Sequence, residues 1–238
     1  LVHLGKREVS KDKETYITTK SNIEIEKNIY QEIQSTKNTM KGMSKDEIGK
    51  KLDNFRLEEE RLAKSENREV RKLSEEQQRA IIEITTTKDK YFAVQGLAGT
   101  GKTFMLDYAR QAYEQEGYTV KGACFTGKAA EGLEKDAKIP STTIHSHLNK
   151  LEREAGNSNP KEDMQNKTNW NFEGLQKTNN KEVWIIDEAS LVDNNTMNNL
   201  LKAAQIKEAK VVLVGDSKQL LPVGAGNAYG NVVEKKQI

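Results

Sequence analysis

Apolar positions in the first 71 residues are sparse and fall at helical intervals. Residues 21–36 place Ile25, Ile29 and Ile33 four apart, one face of a helix. Residues 44–63 give a second helical stretch, opened by Ser44 three positions before Glu47 in the spacing of a capping box. Each stripe is narrow and needs a surface to bury against, so residues 1–71 read as a charged helical connector or accessory arm. From Lys72 the pattern changes. Residues 91–96, 119–125, 182–187 and 210–216 are short apolar runs that read as buried strands. After the first run, residues 103–116 present Met105, Leu106, Ala109, Ala112 and Tyr113 at helical spacing, and Gly117 is placed to end that helix. This alternation predicts an α/β lobe over 72–238, a central mainly parallel sheet flanked by helices and preceded by the helical arm. Residues 154–181 are rich in Asn, Lys and Ser, with Trp170 and Phe172 as large apolar residues, and read mostly as an exposed loop.

Composition narrows the picture only a little. Of 238 residues, 38 are Lys or Arg and 36 Asp or Glu, a formal charge of +2 that neither requires nor excludes a nucleic-acid partner. Cys124 is the single cysteine, which rules out an internal disulfide and suits a reducing cytosol. No apolar run reaches the roughly 20 residues of a membrane span, and no signal-peptide pattern opens the chain, so a soluble cytoplasmic protein is expected. The start at Leu1 and the end at Ile238 without a closing element suggest a piece of a longer protein.

Chemistry enters at Gly96-Leu97-Ala98-Gly99-Thr100-Gly101-Lys102-Thr103, which satisfies G-x-x-x-x-G-K-[ST] and adds Gly99. Glycines let the backbone curl until successive N–H groups face one anion, and the following helix offers the positive end of its dipole. Lys102 would reach the β- and γ-phosphates of ATP, and the Thr103 hydroxyl would bind Mg2+. Chance supplies such a match about once per hundred chains of this length, and here it falls between an apolar strand and an amphipathic helix. Asp187 and Glu188 follow the third apolar run directly, at the end of a strand where α/β sheets bind ligands. Asp187 suits the Mg2+ shell, while Glu188 could orient or deprotonate an attacking water. The fourth run ends in Gly215-Asp216-Ser217-Lys218-Gln219, where Gln219 could sense a γ-phosphate or the water.

With these motifs in order, the chain resembles superfamily 1 helicases of the RecD-like branch over most of residues 72–228. The resemblance implies a RecA-like P-loop NTPase lobe. It puts Gln77, in Leu73-Ser74-Glu75-Glu76-Gln77, on the adenine. It makes Thr126-Gly127-Lys128-Ala129-Ala130 and Thr142-Thr143-Ile144-His145 the DNA-contacting segments, with Thr126, Lys128, Thr143 and His145 as the contacts. Within that branch, residues 127–134 with Ile139-Pro140-Ser141, and Tyr16-Ile17-Thr18-Thr19 upstream, are most similar to the helicase part of MobF-type conjugative relaxases. That family joins an N-terminal DNA-nicking relaxase to a helicase moving on single-stranded plasmid DNA.

The expected partners are therefore single-stranded DNA, a second helicase lobe and an upstream relaxase domain of the same parent chain. The family's motifs IV to VI, with the arginine that completes the ATP site, find no match before Ile238, so slow ATP hydrolysis is expected of this stretch alone. Other readings stand open: a RecD-like repair helicase without a relaxase, or a nucleotide-gated DNA-binding module that never cycles. Phe125 fits either base stacking or the core, and the lysines of 37–51 fit either DNA contact or a solvated helix face. His145 and His147 suit DNA contact or packing, and a metal would have only His3 as a third imidazole.

Overall fold

The computed structural model describes residues 2–3, 17–96, 101–157, 167–178, 180–216 and 226–234. A short antiparallel pair, β1 (Val2–His3) and β2 (Ile17–Thr18), precedes α1 (Lys20–Ser35) and α2 (Lys45–Ser65). The lobe then runs α3 (Glu75–Thr86), β3 (Tyr91–Gln95), α4 (Lys102–Gln115), β4 (Thr119–Cys124), α5 (Gly127–Ala137), β5 (Ser141–Thr143) and α6 (Ile144–Glu154). It continues through β6 (Glu182–Asp187), a 3-10 turn at Ala189–Leu191, α7 (Asn194–Lys207), β7 (Lys210–Gly215) and α8 (Ala228–Glu234). The order across the sheet is β3-β7-β6-β4-β5, every neighbouring pair parallel. This is the α/β class and parallel sheet that the apolar runs predict.

The sheet is covered on both faces, which is why β6 and β7 are apolar at nearly every position. Side chains alternate between the layers. Val183, Ile185, Val212 and Val214 face one core, filled by Ile81 and Ile84 of α3 and by Leu106 and Ala109 of α4. Trp184, Ile186, Val211 and Leu213 face the other, filled by Leu148 of α6 and by Leu200 and Ala204 of α7.

The two helices of the first 71 residues divide between these layers. Ile29 and Ile33 of α1 are buried with the α7 layer, and the Tyr91 hydroxyl donates to Glu32 Oε1 at 2.8 Å. Ile48 and Phe55 of α2 are buried with the α3 and α4 layer, and Lys51 Nζ lies 3.1 Å from Glu116 Oε1. The capping box at Ser44 is present, with Ser44 N donating to Glu47 Oε2 at 2.8 Å and Glu47 N to Ser44 Oγ at 3.2 Å.

The stretch that its polar composition marks as a loop behaves differently over residues 167–178. Trp170, Phe172 and Leu175 are buried in the α7-side core. Trp170 Nε1 donates to Asn149 Oδ1 at 2.7 Å, and the Asn171 N–H to Glu152 Oε1 at 2.8 Å. Three apolar anchors are enough to tie a segment down when polar residues occupy the positions between them.

Candidate nucleotide-binding site

Parallel strands place all their carboxyl ends along one edge, and the sequence motifs follow those ends. Gln95 and Gly215 are register partners at the exits of β3 and β7. Asp187, Cys124 and Thr143 form one row across β6, β4 and β5.

The phosphate-loop sequence leaves β3 through Gly96, whose N–H donates to the Gly215 carbonyl at 2.9 Å. It enters α4 through Gly101, which has φ 72° and ψ 31° and caps the helix without a side-chain hydrogen bond. A side chain there would be strained, and its Cβ would lie 2.6 Å from Gln77 Nε2. The helix therefore begins with backbone N–H groups that no cap side chain satisfies, the arrangement that favours an anion. Lys102 and Thr103 are the first two residues of α4, each half-buried. Gly99 and Thr100 lie outside the described residues, as does Gln219.

Gln77, expected on the adenine, is the third residue of α3 and closes a capping box with Ser74. Its Oε1 accepts from Ser74 N at 2.9 Å and its Nε2 donates to the Gly101 carbonyl at 3.2 Å. The carboxamide thus joins the start of α3 to the last glycine of the phosphate loop.

Asp187 ends β6, and Glu188 follows with φ 56° and ψ 32°, a left-handed conformation that a β-carbon makes unfavourable by roughly 1–2 kcal/mol. Asp187 Oδ1 accepts the Glu188 N–H at 2.9 Å, which holds the turn. Burial, and then the Asp187 charge, push the Glu188 carboxyl above the usual carboxylate range, against the pull of the Thr126 hydroxyl and the Lys102 ammonium. Thr126 Oγ1 donates to Glu188 Oε2 at 3.4 Å. The same burial and the same two carboxylates push the Cys124 thiol up to about 12, so it stays protonated. A lysine, a hydroxyl and two carboxylates are the donor set that ATP and Mg2+ require.

The expected DNA contacts lie at the neighbouring strand exits. Thr126 caps α5, accepting from the Ala129 N–H at 3.1 Å, and Lys128 beside it is exposed. Thr143 caps α6, accepting from the Ser146 N–H at 3.1 Å. His145 is half-buried and meets the Trp170 ring edge-on at 5.5 Å. His147 is buried against Trp184, ring centroids 4.5 Å apart, and desolvation pushes it down to about 4. Among the described residues no three His, Cys, Asp or Glu side chains gather to hold a metal. Phe125 is partly buried and packed against the α7-side core.

Sequence reasoning missed Gln95 and Tyr229. Gln95 Nε2 donates to Asp216 Oδ1 at 3.0 Å, bridging the exits of β3 and β7. Tyr229, in α8, puts its hydroxyl 2.8 Å from the Val94 carbonyl and 3.0 Å from that of Gly215. The sequence held one signal for the latter. Gly226 and Asn227 are helix-start residues just before it, and Asn227 Oδ1 does accept the Gly230 N–H at 2.9 Å.

Conjugal transfer proteins named TraA are 38% identical over 164 residues in both Sinorhizobium fredii, where the name is qualified as probable, and Agrobacterium fabrum. Those matches cover 69% of this chain but only 13% of either relative's length. The crystal structure of Pif1 helicase from Candida albicans is 19% identical with a TM-score of 0.44, covering 71% of this chain and 38% of that one. A structure of Pif1 helicases at forked double-stranded DNA is 24% identical with a TM-score of 0.41, covering 69% of this chain and 38% of that one. The family described as AAA domain matches residues 72–238, and the chain belongs to it.

Proposed function

We propose that this chain is the ATP-binding first lobe of a motor acting on single-stranded DNA, the helicase part of a conjugative relaxase-helicase. The observation that carries the reading is that the Gly101-Lys102-Thr103 entry to α4 and the Asp187-Glu188 turn both stand at the carboxyl-end edge of one parallel sheet. The relatives' name, conjugal transfer protein, supports the cellular role.

In this reading the N–H groups at the start of α4 and the Lys102 ammonium hold the β- and γ-phosphates. Thr103 and Asp187 hold Mg2+, which when bound neutralises charge developing on the transferred phosphoryl group. Glu188, whose carboxyl is held up by burial, takes or orients the proton of the attacking water. Thr126, Lys128, Thr143 and His145 lie along the adjoining strand exits and contact the DNA backbone without base preference. A polypeptide in which a second lobe follows this chain hydrolyses ATP faster than this chain alone, because an arginine from that lobe is worth about a thousand-fold.

The test is Mg2+-dependent ATP uptake by the chain in equilibrium dialysis. Lys102→Ala is expected to weaken it by about a hundred-fold while leaving circular dichroism unchanged, since it removes the ammonium held against the phosphates. Equal uptake by the folded variant sinks the assignment.

A further inference from the structure

Tyr229 is almost completely buried, yet its polar end sits at the phosphate edge of the sheet. Its hydroxyl lies 2.8 Å from the Val94 carbonyl on β3 and 3.0 Å from the Gly215 carbonyl on β7. Gln95 Oε1 is a third oxygen at 3.4 Å. A phenol has one proton, so this single donor is shared between the last turns of two strands. Burial and the nearby Asp216 and Asp187 charges push the phenol upward, which keeps it a neutral donor.

The segments it touches are those that lead into the site. The Gly215 carbonyl also accepts the N–H of Gly96, the first glycine of the phosphate loop. Gly215 is packed so closely that a Cβ there would stand 2.9 Å from the Ser190 N–H nitrogen and 3.0 Å from Tyr229 Cζ. Ser190 belongs to the turn that follows Glu188. One ring therefore abuts the exit of the phosphate-loop strand, the exit of β7 and, through Gly215, the acidic turn. Gln95 Nε2 on Asp216 Oδ1 is a second tie between the two exits, on the exposed side.

We infer that Tyr229 is a positioning residue that sets the Gly96 entry to the phosphate loop against the β7 exit and the Glu188 turn, and so determines how well the site distinguishes ATP from ADP. The inference rests on the ATP-binding reading and deepens it. ADP presents no γ-phosphate and needs only the loop and the start of α4. ATP needs the loop and the acidic turn at a fixed separation, and the shared hydroxyl fixes it. A side chain that merely fills space would affect folding and leave this preference alone.

The experiment compares Mg2+-ATP and Mg2+-ADP affinities of the wild-type chain and Tyr229→Phe, alongside thermal melting without nucleotide. The expected result is an ATP affinity about fivefold weaker, the scale of one well-made hydrogen bond, and an ADP affinity changed by less than about twofold. A lowered melting point with the ATP-to-ADP ratio of the wild type overturns the inference, as does a variant equal to wild type in every respect. Should Tyr229→Phe not fold, Gln95→Met decides, because it cuts the second tie from an exposed position. A reduced ratio supports the inference and an unaltered one overturns it. Absence of Mg2+-dependent ATP uptake by the wild-type chain is a different failure, that of the ATP-binding reading itself.

Discussion

Glu188 is held in a backbone conformation that costs energy, and burial and the Asp187 charge raise its carboxyl above the usual carboxylate range. Thr126 opposes that shift through its hydroxyl. The same oxygen accepts the Ala129 N–H, so Thr126 serves α5 and the acidic turn together. Thr126→Val keeps the shape and removes both bonds. Loss of the cap is expected to cost about 1 kcal/mol in urea unfolding. The Glu188 carboxyl then titrates at higher pH, because a group that favoured its ionised form is gone. A raised folded-state value means that the folded chain binds this proton more tightly than the unfolded chain does. The contribution of Glu188 to stability is thus favourable at low pH and is lost as pH rises through that folded value, at higher pH in the variant. Carbon-13 titration of the side-chain carboxyl reads the change directly, and an unmoved midpoint refutes the link between Thr126 and Glu188.

Elements differ in how much of themselves the sequence discloses. β3, β4, β6 and β7 are continuous apolar runs because helices cover both faces, and each stands within a residue of where that pattern puts it. β5 has only Ser141, Thr142 and Thr143, none of them apolar, so no periodicity marks it; it forms by pairing with β4. The segment 167–178 was hidden for the opposite reason, its three apolar anchors being diluted among polar residues. In the site, Lys102, Thr103, Asp187 and Glu188 were legible because the chemistry demands contiguous motifs. Tyr229 was not, since its partners are carbonyls on strands 135 and 14 residues distant in sequence. Gln77, expected on the adenine, was legible as a residue, while its place in the α3 capping box and on the Gly101 carbonyl came from the structure. Ser74→Ala removes the other half of that capping box and is expected to cost about 1 kcal/mol. If the box also steadies the loop, slowed amide exchange at the start of α4 is lost together with that at the start of α3. Unchanged exchange in α4 separates the two elements.

At the scale of the molecule, the match to the AAA domain family begins at residue 72, yet the helices before it are built into the same two cores. Ile33 of α1 and Ile48 of α2 are fully buried on opposite layers of the sheet. We propose that the arm folds as part of the lobe, whose two cores bury its narrow stripes. Truncating either isoleucine to alanine leaves a cavity and is expected to cost about 2–4 kcal/mol. The two side chains belong to separate cores on opposite layers of the sheet, so the double variant should lose the sum of the single losses within about 0.5 kcal/mol. If arm and lobe form one cooperative unit, each variant still unfolds in a single transition, with fluorescence of the lobe's two tryptophans, Trp170 and Trp184, and far-ultraviolet dichroism coincident. An arm that merely rests on the lobe gives another outcome. Helical signal would then be lost first, at low denaturant, while both tryptophans stayed buried, and the domain boundary at residue 72 would be a physical one rather than the edge of a shared sequence.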